Sequence, residues 1–385
     1  MVMNEMILDS FELGPIRPPS EAYSLLIRAT RNCPWNRCRF CCTYKGEKFQ
    51  LRSVAEIKQD IMAAKAIYDE IKELSRKYGY GDNMERVLAM ALNNAPSDAY
   101  RNVALWLSAG GKSAFLQDAN TLIMRTSDLV EVIRFLKKTF PSIDRITSYA
   151  RSKTAAKKTQ EELVALRKAG LSRLHIGLET GYDPLLKYMD KGVTAAEHIA
   201  GGKNIVASGI SLSEYVILGL GGKEMWREHA TETARVLNEI NPDFIRVRTL
   251  TINGKMPLCS EVESGVFVRE TDEEIVEEEK LLIEQLECQS NFVSDHITNL
   301  LQEIEGQLPR DKEKMLAVIS RFQALTPEER TNFRIGRRVG LYSELDELND
   351  ERRRERVASI VSRLSSDSNR IDEEAIYRFM ERFIV

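Results

Sequence analysis

The chain has 385 residues, enough for one large domain with an appendage or for two domains. Hydrophobic residues make up 43% and charged residues 29%, an ordinary globular composition, and the formal net charge of −3 gives no global positive field for nucleic acid or an anionic membrane. No apolar run approaches the ~20 residues a bilayer requires, and the acidic N-terminus lacks the basic flank of a signal peptide, so a cytoplasmic protein is expected.

Residues 1–22 are expected to be irregular, because Pro15, Pro18 and Pro19 interrupt any regular element. A short apolar strand, a loop and a helix then recur. Strands are expected at Tyr23–Ala29, Ser113–Gln117, Arg145–Tyr149, Arg173–Leu178, Ser213–Leu218 and Phe244–Leu250. Helices are expected at Val54–Tyr78, Ser127–Thr139, Gln160–Ala169, Ala195–Ser208 and Glu228–Ile240, with a helical insertion over about 80–107. Strands alternating with helices give βαβ units and a parallel sheet. Six units over 23–270 imply an α/β fold, an open partial (β/α)6 barrel. After about residue 270 the strand signals stop. Residues 271–385 read as an α-helical C-terminal region with helices at Glu273–Cys288, Phe292–Glu305, Asp311–Phe322, Glu344–Leu364 and Glu373–Phe383. Its charge runs, EIVEEEK and ERRRER, read as solvated helix faces.

Four of the six cysteines fall between positions 33 and 42, within RATRNCPWNRCRFCCTYKGEKF. A disulfide framework spreads its cysteines and suits small secreted chains; tight clustering in a large chain points to metal. The segment follows the first strand, so it belongs at the C-terminal mouth of a barrel, where such folds build their sites. Cys33, Cys38 and Cys41, spaced C-x4-C-x2-C, offer three soft thiolates to a [4Fe–4S] cube whose fourth iron is left open. Zinc is the competing reading, but a structural zinc site needs a fourth ligand, usually in a second pair, and His175, His198, His229 and His296 are isolated. Cys42 reads as a small half-buried residue, since adjacent cysteines reaching one cube would be strained.

This loop resembles that of the radical SAM superfamily, whose usual signature is C-x3-C-x2-C with an aromatic before the last cysteine. Phe40 matches the aromatic, which in the family packs near adenine; the first gap is one residue longer here. Later motifs follow the family's order over about 23–250. Leu116–Gln117–Asp118–Ala119–Asn120 takes the place of the segment that grips the SAM amino group, without its glycines. Ile176–Gly177–Leu178–Glu179–Thr180–Gly181 resembles the fourth-strand segment of the coproporphyrinogen-oxidase-like and methylthiotransferase-like branches. That likeness implies SAM contacts for Glu179 and, at the basic residue that follows, Lys191. Val216–Ile217–Leu218–Gly219–Leu220–Gly221–Gly222 resembles the fifth-strand segment beside adenine. The resemblance implies reductive cleavage of S-adenosylmethionine to a 5′-deoxyadenosyl radical and hydrogen-atom abstraction from a small-molecule substrate. It also implies a flavodoxin or ferredoxin type reductant. No auxiliary-cluster cysteine run, cobalamin domain or basic RNA-binding appendage is legible. A non-catalytic Fe–S electron carrier or redox sensor would not need Glu179, Lys191 and Gly219, and a zinc-stabilised binding protein would lack the visible absorption of a cluster.

Strand alternation gives an independent view of the barrel interior. It places Arg28 and Thr30 inside on strand one and Thr147, Tyr149 and Arg151 on strand three. Arg173, His175, Gly177 and Glu179 face inward on strand four, Ser213 and Tyr215 on strand five, and Arg246 and Arg248 on strand six. The resemblance thus adds Gln117, Asp118, Ile217 and Gly219, and the inward strand faces add Tyr149, Arg151 and Arg248, to Phe40, Glu179 and Lys191 as candidate cofactor contacts. Unpaired buried charge is costly, and these arginines outnumber the interior acids. A wet cavity that takes an anionic substrate is therefore expected, unless loop acids pair with them.

Overall fold

The computed structural model describes residues 10–80 and 84–364, together with Glu373, Glu374, Ile376 and Tyr377. Eight strands lie in one sheet in chain order: β1 Leu25–Arg28, β2 Ser113–Gln117, β3 Arg145–Ala150, β4 Leu171–Glu179, β5 Ser211–Leu218, β6 Phe244–Thr249, β7 Asn291–Val293 and β8 Gly306–Gln307. Neighbours pair in parallel from β1 through the start of β4 and from β5 to β7, while β8 runs antiparallel to β7. This is the α/β fold expected, and all six anticipated strands form.

The chain divides into two units. The first takes the residues up to Asn36, then Thr43–Ile176 and Ala200–Leu212. Its longest helix, Val54–Lys77, starts in a capping box between Ser53 and Glu56 and stops where Gly79 turns left-handed at φ 74°. Its buried stripe of Ile57, Ile61, Ala64, Ile67 and Ile71 follows helical spacing and packs on helices Asp98–Ser108 and Thr126–Thr139. The expected insertion forms two helices, Glu85–Asn93 and Asp98–Ser108; the second buries Trp106 edge-on to Phe140 with centroids 5.2 Å apart. Thr30 does not extend β1; with Arg31 it pairs with Gln50–Leu51 in a separate short ladder.

The second unit takes Arg37–Cys42, Gly177–Ile199 and the chain from Ser213 on. Here helix Gly222–Ile240 packs along helix Asp272–Gln285, which opens in a capping box between Thr271 and Glu274. Helix Pro327–Arg338 docks through Asp272, whose buried carboxylate takes Arg334 Nε at 3.0 Å and Arg338 Nη2 at 2.6 Å. The two arginines hold the carboxyl of Asp272 below its usual range against the opposing effect of burial.

Several expectations fail in this region. No helix forms over 292–305: the segment begins as β7, and Asn299 then takes the place of a neighbouring strand. Its amide donates to Val247 O at 2.8 Å and accepts from Thr249 N–H at 2.8 Å. Tertiary pairing overrides local propensity there. The strand signal thus continues past residue 270, into β7 and β8. Glu278 and Glu279 of the EIVEEEK run are buried against the unit's core, not solvated, whereas Glu351–Arg356 are exposed as expected. Helix Pro327–Arg338 was not anticipated, although Thr326 and Glu329 form its capping box. The expected helix at 344–364 breaks at Asp350 into a 3-10 turn, Leu345–Asn349, and helix Glu351–Leu364. Most of the helix expected at 373–383 lies outside the described residues.

Candidate functional site

In the first unit, the cysteine segment is entered and left under the control of one carboxylate. Asp118, fully buried at the end of β2, accepts from Arg28 Nε at 2.9 Å and from Asn32 N–H at 3.2 Å through Oδ2, and from the Tyr44 hydroxyl at 2.5 Å through Oδ1. Asn32 precedes Cys33 and Tyr44 follows Cys42, so Asp118 ties both flanks of the segment. Burial first, and then the charge of Asp118, push the Tyr44 phenol far above its usual value, so it stays a donor. Asn32 and Asn36 bend the chain at φ 67° and 48°, a left-handed conformation that Asn tolerates. Asn36 N–H points at Cys33 Sγ, 3.4 Å away. Gln117 is engaged by the N-terminal segment: Oε1 accepts from Gly14 N–H at 2.9 Å, and Nε2 donates to Gly14 O and Ile16 O at 3.0 and 2.9 Å. Arg151 lies over the Trp35 ring at 5.3 Å, and Tyr149 packs edge-on to Phe115 at 5.1 Å and to His175 at 6.0 Å.

In the second unit, Cys38 and Cys41 pack against a buried apolar cluster that includes Phe40, Leu185, Met189, Ile217, Leu220 and Leu258. Arg39 fixes this part of the loop: its N–H donates to Met189 O at 3.0 Å, its carbonyl accepts from Leu258 N–H at 3.1 Å, and its guanidinium pairs with Glu261 at 2.5 Å. Lys191 Nζ lies 5.7 Å over the Phe40 ring and 2.7 Å from Glu179 Oε1. A turn with Asp190 at φ 48° and Gly192 at φ 68° presents Lys191 after the short helix Asp183–Tyr188. Glu179 ends β4 at φ 66°, a strained conformation for a side-chain-bearing residue of the kind found at ligand sites. Gly177 makes room beneath this pair: a Cβ there would collide with Glu179 Oε1 and lie 3.0 Å from Lys191 Nζ. Gly219 turns the chain after β5 at φ 79°. Phe40, Ile217, Glu179 and Lys191, which the sequence picked out separately, thus meet in one place.

Two of the interior arginines meet acids, the alternative the sequence left open for them. Arg28 pairs with Asp118 and Glu12 at 2.7 Å each, and Arg246 with Asp295 at 2.6 Å. Buried Glu21 pairs with Arg145 at 2.7 Å and lies 3.5 Å from His175. Glu12 and Glu21 come from the segment read as irregular; no periodicity marked them. Arg248 is half-buried beside Ile217 in strand register, and no hydrogen bond or ion pair reaches it among the described residues. Burial, reinforced by Arg248, lowers the neighbouring His296 to about 4, so His296 is neutral near pH 7.

All six cysteines are thiols. Among the described residues, no group of three or more His, Cys, Asp or Glu side chains is gathered closely enough to hold a metal ion. The donor set is nonetheless of the right chemistry for an Fe–S cluster: soft thiols, half-buried, with an N–H directed at Cys33 and apolar packing around Cys38 and Cys41. Cys42 accepts weakly from Asn253 Nδ2 at 3.7 Å.

Residues 27–234, more than half of the chain, match the family model described as the radical SAM superfamily. No curated protein sequence matches. Among solved structures, archaeal Methanocaldococcus infernus Elp3 with an N-terminal deletion aligns at 14% identity and TM-score 0.42, over 55% of this chain and 56% of that one. Methylornithine synthase (PylB) aligns at 14% identity and TM-score 0.40, over 82% and 95%. The radical S-adenosylmethionine methyltransferase TsrM from Kitasatospora setae, with cobalamin and a [4Fe–4S] cluster bound, aligns at 12% identity and TM-score 0.43, over 91% and 64%. The chain thus spans little more than half the length of the first.

Proposed function

Because the chain belongs to the radical SAM superfamily, whose cofactors are a [4Fe–4S] cluster and S-adenosylmethionine, we propose that it cleaves SAM reductively and abstracts a hydrogen atom from a small anionic organic substrate. The observation that carries this reading is the meeting of Phe40, Ile217, Lys191 and Glu179. Cys33, Cys38 and Cys41 would hold the cluster, which supplies the electron that breaks the C5′–S bond of SAM.

The chain's own residues bind and orient. Phe40 and Ile217 form an apolar wall suited to adenine. The Lys191–Glu179 pair matches the amino-acid end of SAM in both signs: Lys191 for its carboxylate, Glu179 for its ammonium. Arg248, on the same sheet face as Ile217, is assigned to the anionic group of the substrate, since a half-buried guanidinium gains most from a carboxylate or phosphate. Asp118 and Gln117 hold the loop and the N-terminal segment rather than ligand. A low-potential reductant of the flavodoxin or ferredoxin type is the expected partner, and nucleic acid is not. Among the described residues no helix is long and apolar enough to cross a membrane, and the protein is assigned to the cytoplasm.

Anaerobic reconstitution with iron and sulfide, followed by SAM and dithionite, tests the proposal. Formation of 5′-deoxyadenosine and methionine is expected. A cluster that forms yet neither binds nor cleaves SAM would make the protein an electron carrier or redox sensor.

A further inference from the structure

One imidazole joins the segments that carry Glu179 and Gly219. His229, on helix Gly222–Ile240 and 1% exposed, has Nδ1 2.8 Å from Thr180 Oγ1 and Nε2 3.0 Å from the carbonyl oxygen of Ile217. A carbonyl only accepts, so Nε2 carries the proton and Nδ1 accepts from the Thr180 hydroxyl. Thr180 Oγ1 accepts from Tyr182 N–H at 3.1 Å, and Thr233, one helical turn beyond His229, accepts from Gly181 N–H at 2.8 Å. Thr233 Oγ1 also lies 3.3 Å from His229 Nδ1, so these side chains together reach the backbone at Ile217 O, Tyr182 N–H and Gly181 N–H, on the fifth- and fourth-strand segments. Burial lowers the pKa of His229 to about 4, which keeps the neutral form that this tautomer needs.

The C-terminal region reaches the same point. Glu278, fully buried on helix Asp272–Gln285, accepts from Gly219 N–H at 3.1 and 3.2 Å through its two oxygens and lies 3.3 Å from His229 Nε2. Gly219 is where β5 ends in a left-handed turn, and Glu278 supplies an acceptor for an N–H that would otherwise be orphaned. Glu270, 2% exposed, faces Glu278, and its oxygens find no donor among the described residues, so this carboxyl contact requires a proton on one partner. Burying two acids to satisfy one N–H is a poor way to gain stability, since apolar replacements of buried charged groups are often neutral or stabilising. The arrangement makes sense if what it secures is the position of the Gly219 turn.

We propose that His229 and Glu278 are positioning residues of the SAM site, and that helix Asp272–Gln285 of the C-terminal region thereby completes that site from behind; this rests on the radical SAM reading above. Neither residue touches SAM. His229 sets the spacing between the Glu179 and Ile217 segments, and Glu278 holds the turn at Gly219.

Full-length protein with reconstituted cluster is titrated with SAM by calorimetry, and 5′-deoxyadenosine formation is timed at saturating SAM. Glu278→Leu keeps an apolar side chain of similar size and removes the acceptor. It should remain folded, bind the same iron, and raise the SAM Kd about tenfold. At saturating SAM its rate should stay within about twofold. Glu278→Gln keeps an oxygen for Gly219 N–H and should restore the Kd to within about threefold of wild type. His229→Gln, which loses the acceptor for Thr180, should show the same split and gives an independent arm if Glu278→Leu does not accumulate. SAM binding as tight as wild type in a folded Glu278→Leu or His229→Gln protein overturns the inference, as does a lower saturated rate at unchanged Kd. A wild-type protein that fails to bind SAM would instead defeat the proposed function.

Discussion

Replacing Asp118 by Ala removes an acceptor from three donors at once. Asp118 is fully buried, and it holds Arg28, the Asn32 N–H and the Tyr44 hydroxyl. Arg28 would keep Glu12 as a partner at 2.7 Å, so the guanidinium is not wholly abandoned. The Asn32 N–H and Tyr44 hydroxyl would be left without this acceptor, each at about 1–3 kcal/mol. With Arg28 still paired to Glu12, the two orphaned donors set the expected loss at about 2–6 kcal/mol. For a unit of this size that lowers the melting temperature by roughly 4–24 °C. Because Asn32 and Tyr44 flank Cys33 and Cys42, cluster incorporation should also fall although every thiol remains. Asp118→Asn should lie between, since its amide oxygen can still accept from Tyr44 while its NH2 opposes Arg28. Thermal unfolding by circular dichroism, with iron and sulfide assayed after reconstitution, measures both effects. A melting temperature within about 2 °C of wild type and full iron content in Asp118→Ala would refute the anchoring role.

Alanine at Cys33, Cys38 or Cys41 should each abolish the cluster, measured as iron and sulfide, while Cys42→Ala retains it; loss in Cys42→Ala alone would reverse the ligand assignment. Glu179→Ala, Lys191→Ala and Gly177→Ala should each weaken SAM binding with the cluster intact, the last because a Cβ collides with the Glu179–Lys191 pair; calorimetry showing unchanged affinity in all three would sink the fourth-strand assignment. Arg248→Ala should abolish stimulation of 5′-deoxyadenosine formation by acidic metabolites and leave the uncoupled background unchanged, and equal stimulation in the variant would exclude Arg248 from substrate binding. Stability should fall as pH rises from 6.5 to 8. Burial holds Glu214, Glu270, Glu278 and Glu279 protonated, Glu279 up to about 8, so the folded state binds more protons than the unfolded one over that window. His229 and His296, both lowered, act in the opposite sense but only below about 6.5, and so leave the window clear. Each carboxyl contributes at most about 1.4 kcal/mol per pH unit; urea midpoints that rise from pH 6.5 to 8 would show that these acids are ionised.

The six parallel strands and the helices between them were legible in the sequence because they depend on local apolar periodicity and local stop signals. The cysteine loop was legible for a similar reason: its donors are neighbours in the chain, and the chemistry of three spaced thiols does not depend on distant residues. Phe40, Ile217, Glu179 and Lys191 could be picked out one by one from short motifs. That Lys191 reaches both Glu179 and Phe40 was decided by the turn after Tyr188 and by the space at Gly177, and neither distance is written in a motif. The partners of the arginines were hidden altogether: Glu12 precedes Arg28 by 16 residues and Asp118 follows it by 90, and only the fold sets which acid meets which base. The segment at 292–305 looked helical by propensity, but side-chain pairing from Asn299 to β6 outweighs a preference worth a fraction of a kcal/mol per residue. Glu278 shows the limit most sharply. In the chain it belongs to an acidic run typical of a solvated helix face, and only packing of that helix against Gly222–Ile240 buries it on the Gly219 turn. Sequence determined most of the elements and singled out the thiols expected to hold the cluster, which are local properties; tertiary structure decided charge pairing and burial, which depend on contacts between residues far apart in the chain.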